Sequence, residues 1–593
     1  MFHMKMTVKY VVVIGFFLGV FSCSDLMDKG PLDKIGEDAV WRDLNLAEAY
    51  INHQYKVLPK IGWYEWTRST QLSCFTDEAA HKYDYHNLSE YRRGAMTSSI
   101  PTGLDVWEYH YGFIKGCNVF LSKVDDIPAE ADAEKKKRDR LKGEALALRA
   151  WSYMDLAARY GAVVKITEPF KLDDDFSRNR SSFEEITAFV VQDLDDAANL
   201  LPESYTDNKD WGRLTKGAAM GMKSRMFLYA ASPLFNKNND KTKWEAAAKA
   251  AKDVIDYAVR TGLYELHGDK DTYKDVFMAM QNKEMMMIRA NDPVVDDGYF
   301  GYFQVVEGLG GGIDGNGYCG GWSTTMVSQN LVDAFEMTDG TSFDWNNPVH
   351  AANPYENRDP RLYVSVTTDG SSWVRDTEVQ FWITEKDNKF NVPQYQNNRY
   401  PTQSTGFVID DQVYGRNSLG NPQERGNCPE TRYIYRKSMD DTYNTEENQY
   451  PFPVSWIIMR YAEILLNYAE AVFETGNEPE ALKYLNMIRD RVDMPEVKGV
   501  SGDNLRQKIR HERRIELCLE AHRYFDARRW LIAEAEFSKP LYGISIVKDK
   551  NSDTKVYTPF IFQERSFPSR YYLQPIPIRE IQRTGLTNNE GYD

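Results

Sequence analysis

Six cysteines are too few to staple a chain of 593 residues. Apart from Cys23 they are Cys74, Cys117, Cys319, Cys428 and Cys518, an odd set without paired spacing, so no disulfide framework organises this protein. Cys117 and Cys518 fall in helical patterns and read as small buried hydrophobes. The nine histidines form no ligand spacing: His511-Glu512 opens like a zinc-protease helix but lacks the second histidine four residues on, and no metal site is expected. Calcium held by scattered oxygens would leave no spacing signal; no other cofactor is implied. Basic charge is short as well. A net charge of -16 and a pI near 5.2 disfavour nucleic acid and polyanionic glycans, which need a positive field, and leave a neutral ligand as the better fit. A Walker lysine is missing too: Gly310, Gly312 and Gly315, and again Gly315, Gly317 and Gly320, satisfy GxGxxG formally but follow no strand of a βαβ unit. No Pro/Gly/Ser linker or low-complexity run divides the chain, so one large composite domain is expected.

The stretch that organises the rest is Pro453 to Ile532. Ala469, Gly476, Ala481 and Leu485 are spaced as the small residues of a tetratricopeptide hairpin, where two helices touch. Gly476-Asn477 can take the left-handed conformation that ends the first helix, and Pro479 suits the first turn of the second. A third helix is expected from about Asn504 to Trp530. Its acids are interleaved with arginines, so that Glu520/Arg523 and Asp526/Arg529 fall on one face at i,i+3 and fix its packing.

Upstream, Val40, Leu44, Ala47, Ile51, Tyr55 and Leu58 give a first helix that Pro59 ends. Further helices are expected from Trp107, from the basic run Lys135 to Arg140, over Phe183 to Leu200, over Thr215 to Ala231 with Gly217, Ala218 and Gly221 at close contacts, and over Trp244 to Ala258. The fold class is therefore mainly α, a tetratricopeptide-like helical-repeat scaffold. Between about Leu263 and Phe452 the period changes: Pro, Gly, Asn and Asp crowd together, a helical pattern survives only near Met326 to Phe335, and the runs LYVSVTT and VQFWITE suggest strands. This is a large mixed insertion of loops and short strands. The expected divisions are 37-263 for the N-terminal helical part, 264-452 for the insertion and 453-593 for the C-terminal hairpin, arginine-rich helix and tail.

The N-terminus reads as export machinery. Lys5 and Lys9 precede an apolar run from Tyr10 to Phe21, too short to cross a bilayer but of signal-peptide length, and Ser22-Cys23 follows. Val20-Phe21-Ser22-Cys23 resembles a lipobox despite its bulky Phe21, which makes 1-22 a signal peptide, Cys23 a diacylated N-terminus and 23-36 an acidic tether.

Aromatic residues make up 13% of the chain, and each pairs a flat apolar face with a polar edge. Most fill the core, but two clusters lie in polar, Gly-rich loops. Gly62-Trp63-Tyr64-Glu65-Trp66 and Tyr83-Asp84-Tyr85-His86-Asn87 sit between the first two helices, and Tyr299, Tyr302, Phe303, Tyr318 and Trp322 surround the glycine-rich run. Sugar rings offer faces of axial C–H groups and rims of hydroxyls, which suits flat aromatics beside Asn, Asp and Arg. The same rings would also serve as loop anchors.

RYAEILLNYAEA, ERRIELCLEAHRYFDARRW and, near the end, PIPIREIQRTGLTNNEGYD occur here in that order, with the weaker echoes YGAVVKITEP, AFEMTDG and NRDPRL before them. This series closely resembles the SusD/RagB family of Bacteroidetes outer-membrane lipoproteins over nearly the whole chain. The resemblance implies a glycan-binding protein displayed on the cell surface without enzymatic activity, and a SusC-like TonB-dependent transporter as partner. It also implies that aromatics from the early loop and from the segment ahead of AFEMTDG face the ligand. Tyr83, Tyr85, Tyr302, Tyr318 and Trp322 are the candidates for contact with a neutral oligosaccharide. From the residues alone, two other readings stay open. A glycan hydrolase could draw its carboxylate pair from the 88 acids, and a periplasmic scaffold could bind only proteins.

Overall fold

The computed structural model describes residues 37-59, 70-84, 86-170, 178-290, 323-372, 378-385, 407-409, 412-415, 418, 429-439, 441 and 455-592. Ten helices among them carry the scaffold: α1 (Leu44–Gln54), α2 (Trp107–Leu121), α3 (Asp132–Tyr160), α4 (Phe183–Leu200), α5 (Lys216–Ala231), α6 (Lys241–Thr261), α7 (Tyr461–Glu474), α8 (Glu478–Asp490), α9 (Gly502–Glu516) and α10 (Arg523–Arg529). Their starts have local causes. Ser182 accepts from the Glu185 N–H while the Glu185 carboxylate takes the Ser182 N–H, a reciprocal cap on α4, and Thr215 caps α5 by accepting from Ala218. Between α7 and α8, Gly476 sits at φ +99°, its N–H bonded to Phe473 O and that of Asn477 to Val472 O, so the turn satisfies two carbonyls of the last helical turn.

From α2 to α8 each helix packs against its successor in the sequence, and α7 lies directly on α6. The described residues between Thr261 and Tyr461 are thus looped out of one continuous helical stack. Close approach needs small residues: a Cβ at Gly221 of α5 would sit 2.4 Å from the Met459 sulfur. The main core runs through this stack, with Leu146, Leu156, Met222, Val254, Ile464 and Leu485 among its buried members.

The looped-out part is built of short elements, and its strands join others from outside it. A four-stranded sheet runs Ala79–His81, Thr325–Val327, Ile434–Tyr435, Val366–Thr367; a five-stranded one runs Lys555–Gln563, Leu541–Lys548, Ile383–Glu385, Gln412–Tyr414, Phe407–Ile409. Met285–Arg289 pairs with Trp456–Arg460, and Trp456–Arg460 leads the chain back into α7. VQFWITE supplies a strand, as its alternation suggests. LYVSVTT supplies one only near its end: Pro360–Ser365 is helical, because Asp359 accepts from the Arg361 N–H and Pro360 occupies the first turn, and Val366–Thr367 alone forms a strand. Likewise the pattern near Met326 divides into a strand, Thr325–Val327, and a short helix, Gln329–Ala334. The hairpin Leu541–Lys548/Lys555–Gln563 is a strand pair within the stretch expected to be tail.

The third helix of the organising stretch is two helices. α9 stops at Glu516 and α10 starts at Arg523, with Leu519 and Ala521 between them at φ +60° and +68°. Buried cations from elsewhere compete for the carbonyls at the break: Arg460 Nη2 donates to Glu516 O at 2.7 Å, and Lys437 Nζ donates to Glu516 O at 2.9 Å and Cys518 O at 3.1 Å. Consequently Glu520 does not pair with Arg523. It binds Arg460 and Lys437, whereas Arg523 reaches Asp77; Asp526–Arg529 does form at 2.8 Å. Cys117 is buried in α2 as expected, and Cys518 is buried in the break rather than in a helix.

Candidate ligand-binding site

Segment 70-81 approaches the candidate site on a short 3-10 helix, Thr70–Phe75, followed by the strand Ala79–His81. It is fixed from three sides. Arg565 donates to the carbonyls of Cys74, Thr76 and Ala79; Ser328 donates its N–H to Glu78 O and its hydroxyl to Asp77 O; Asp77 accepts from Arg514 of α9 and Arg523 of α10 at 2.8–2.9 Å. Burial alone would raise the Asp77 carboxyl, but the two guanidinium groups hold it well below the ordinary range.

The strand pairs antiparallel with the one that follows the glycine-rich run: Ala79 faces Val327, Ala80 faces Met326 and His81 faces Thr325. One residue beyond, the Lys82 N–H donates to Thr324 O at 3.1 Å. Tyr83 therefore leaves the sheet at the end where Ser323, the residue after Trp322, enters it. Tyr83 is half-buried; its N–H donates to His81 Nδ1 at 3.0 Å, and the two rings lie 6.0 Å apart. Nδ1 also lies 2.9 Å from the Tyr83 carbonyl oxygen, and burial pushes the His81 imidazole down to about 3, so the ring that closes this turn is neutral. Further along, Asp84 accepts from the Ser89 N–H at 2.7 Å, and His86 and Asn87 adopt positive φ before the short helix Leu88–Arg92.

Of the candidates, Tyr83 stands at this sheet end, whereas Tyr85, Tyr302, Tyr318 and Trp322 lie outside the described residues, as do Trp63, Tyr64, Trp66 and Cys23. A separate cleft of about 920 Å³ lies between α2 and the C-terminal helix Ile578–Thr584, floored by Trp107, Tyr111 and Ile166 and rimmed by Arg178, Arg579 and Glu108. No cluster of metal-ligating side chains occurs among the described residues. Sequence reasoning missed the anchoring set Asp77, Glu78, Arg514, Arg523 and Arg565. The only hint was two acids directly ahead of Ala79-Ala80, a run otherwise apolar enough to be buried.

Comparison with known proteins assigns the fold. A family model described as "SusD family" matches residues 280-592, more than half of the chain. The chain belongs to the SusD family. A second model, "Starch-binding associating with outer membrane", matches residues 37-228. Among solved structures, a SusD-like protein from Bacteroides fragilis is similar at 29% identity and a TM-score of 0.74, covering 95% of this chain and 100% of its own. A laminarin-binding SusD-like protein matches at 18% identity and a TM-score of 0.60, covering 93% of this chain and all of its own, which is a likeness of fold. SusD-like protein P38 of Formosa agariphila is 22% identical over 91% of this chain and 94% of its own length. As a SusD-family member the protein is a binding protein rather than an enzyme, and belongs at the outer membrane.

Proposed function

We propose that this SusD-family protein holds a neutral oligosaccharide at the cell surface and passes it, chemically unchanged, to a SusC-like TonB-dependent transporter in the same membrane. The observation that carries the reading is the register of Ala79–His81 against Thr325–Val327, because it brings the ends of the two aromatic, loop-forming segments onto neighbouring strands. Tyr83, Tyr85, Tyr302, Tyr318 and Trp322 are the proposed sugar contacts. Stacking on flat rings, with loop Asn and Asp residues on the hydroxyl rim, needs no charge on the ligand, in keeping with the net charge of -16. A surface protein that only binds must deliver to an active transporter, since a large glycan does not diffuse through ordinary pores. Acylation of Cys23 and the 23-36 tether would confine both partners to one membrane and raise their effective concentration. The scaffold surface, rather than the aromatic loops, would meet the transporter.

We read the consecutive helix pairs as tetratricopeptide-like, with 37-263 and 453-593 as the scaffold and 264-452 as the part that supplies ligand loops. The test is a panel of neutral polysaccharides, with binding read by retardation in native affinity gels and cleavage by new reducing ends. Retardation without new ends is expected. Mobility unchanged across the panel would reject the reading, and new reducing ends would restore the hydrolase.

A further inference from the structure

Two acids stand side by side ahead of the ligand strand, and only the first is paired. Asp77 takes both nearby cations, Arg514 and Arg523. Glu78, 1% exposed, receives none. Its Oε2 accepts from the Ser73 hydroxyl at 2.8 Å and from the Leu519 N–H at 3.3 Å, and Oε1 meets no hydrogen-bond partner. An ionised carboxylate in that position would be a buried charge with one bare oxygen; a neutral acid costs far less there. Leu519 is itself unusual, a non-glycine residue at φ +60° in the break between α9 and α10, and its N–H has no helical carbonyl to reach. Glu78 thus joins a strained turn of the scaffold to the first residue of the strand that leads to Tyr83.

We propose that Glu78 is a positioning residue for the ligand site: held as an uncharged acid, it clamps strand Ala79–His81 to the Leu519 turn, and its ionisation loosens the clamp. This rests on the glycan-site reading for its purpose, though not for its test. The groups facing Glu78 are Asp77 and Cys74 from its own segment, Arg514 from α9, Cys518 from the break and Arg523 from α10. Burial holds the Cys74 and Cys518 thiols up at about 12 and about 11, and the Asp77 carboxyl is depressed by its arginines, so none of these changes charge near neutrality. Glu78 does: burial, with the Asp77 charge beside it, lifts its carboxyl to about 7. The folded state therefore binds a proton that an opened state, with an ordinary carboxyl, releases. Protection is complete below about pH 4.5 and is lost as pH rises to about 7, with no further loss above that.

The experiment follows amide exchange by mass spectrometry in the ligand-free full chain, corrected for the intrinsic pH dependence of exchange. It reads the peptides spanning 79-81, 325-327 and 517-520. The wild type should lose protection by up to about tenfold per pH unit between pH 5 and pH 7 and then level off. Glu78→Gln, which keeps an acceptor for Ser73 and Leu519 and carries no charge, should show no such slope. Ser73→Ala removes a donor that favours the ionised form and should move the wild-type midpoint to higher pH. Equal slopes in wild type and Glu78→Gln, or a midpoint unmoved by Ser73→Ala, would overturn the proposal. Because no glycan is added, a failed glycan screen would leave this result standing, and the converse also holds.

Discussion

The backbone N–H of Lys82 donates to the carbonyl of Thr324 at 3.1 Å, and this bond sets the exit of the Tyr83 loop beside the residues that come after Trp322. Segments far apart in sequence thereby share one end of a sheet, and substitutions in the two loops should act on a single ligand.

Trp322→Ala should weaken binding to whichever neutral glycan the panel identifies by roughly 1–3 kcal/mol, the scale of losing one aromatic stack. Isothermal titration measures this, and the melting temperature should stay put. A fall of many degrees would instead make Trp322 a packing residue.

Gly476 leaves open space around a notional Cβ, so the cost of a side chain there is purely one of backbone conformation. Gly476→Val should destabilise by about 1–2 kcal/mol, and Gly476→Asn by less, since Asn tolerates left-handed φ better. Thermal melts of the two variants rank them; equal melting temperatures for Val and Gly would mean the turn relaxes at no cost.

Arg460 is 1% exposed and binds Glu284 at 2.7 Å, Glu516 at 2.5 Å and Glu520 at 2.7 Å. Around it, Arg361 meets Glu512 and Glu516, and Arg491 meets Glu284 and Glu516. Burial would raise the Glu516 carboxyl, but Arg491, Arg460 and Arg361 hold it well below the ordinary range. Arg460→Met strands buried acids and should cost at least about 3–5 kcal/mol. Arg460→Lys should recover only part of this, because an ammonium cannot copy the two-pronged contact with Glu520. Urea midpoints read by tryptophan fluorescence decide it, and a wild-type midpoint for the Met variant would show the cluster to be dispensable.

Cys23→Ala removes the thiol proposed to carry two acyl chains, and two chains are what stable anchoring takes. Fractionated cells should then yield soluble or unprocessed protein. Retention of the variant in the outer membrane at wild-type level would argue for another attachment.

The helices are legible in the sequence because their information is local: apolar spacing, a proline after α1, a glycine after α7. The features that escape it depend on distant partners. Nothing within residues 504-530 says that Arg460 and Lys437 will occupy the carbonyls of Glu516 and Cys518, so a continuous helix is the natural reading of that stretch. Nor does LYVSVTT reveal that Asp359, three residues before it, caps the helix Pro360–Ser365. The strand Lys555–Gln563 is the opposite case, since its alternating burial has a visible counterpart in its residues, and the family-like motif close behind it is the louder signal. At the site, the residue classes are readable but their convergence is not, because it lies in a strand register between Ala79 and Val327.

The cluster around Arg460 also bears on how the chain reaches its native state. Its charges come from Glu284, Arg361, Lys437, Arg460, Arg491 and the 512-520 region, so it cannot close until the last third of the polypeptide has been delivered. A half-emerged chain would hold unmatched ions and gain little by early collapse. Until then the acids and arginines of the cluster remain solvated, and the helices that they join lack this stabilisation.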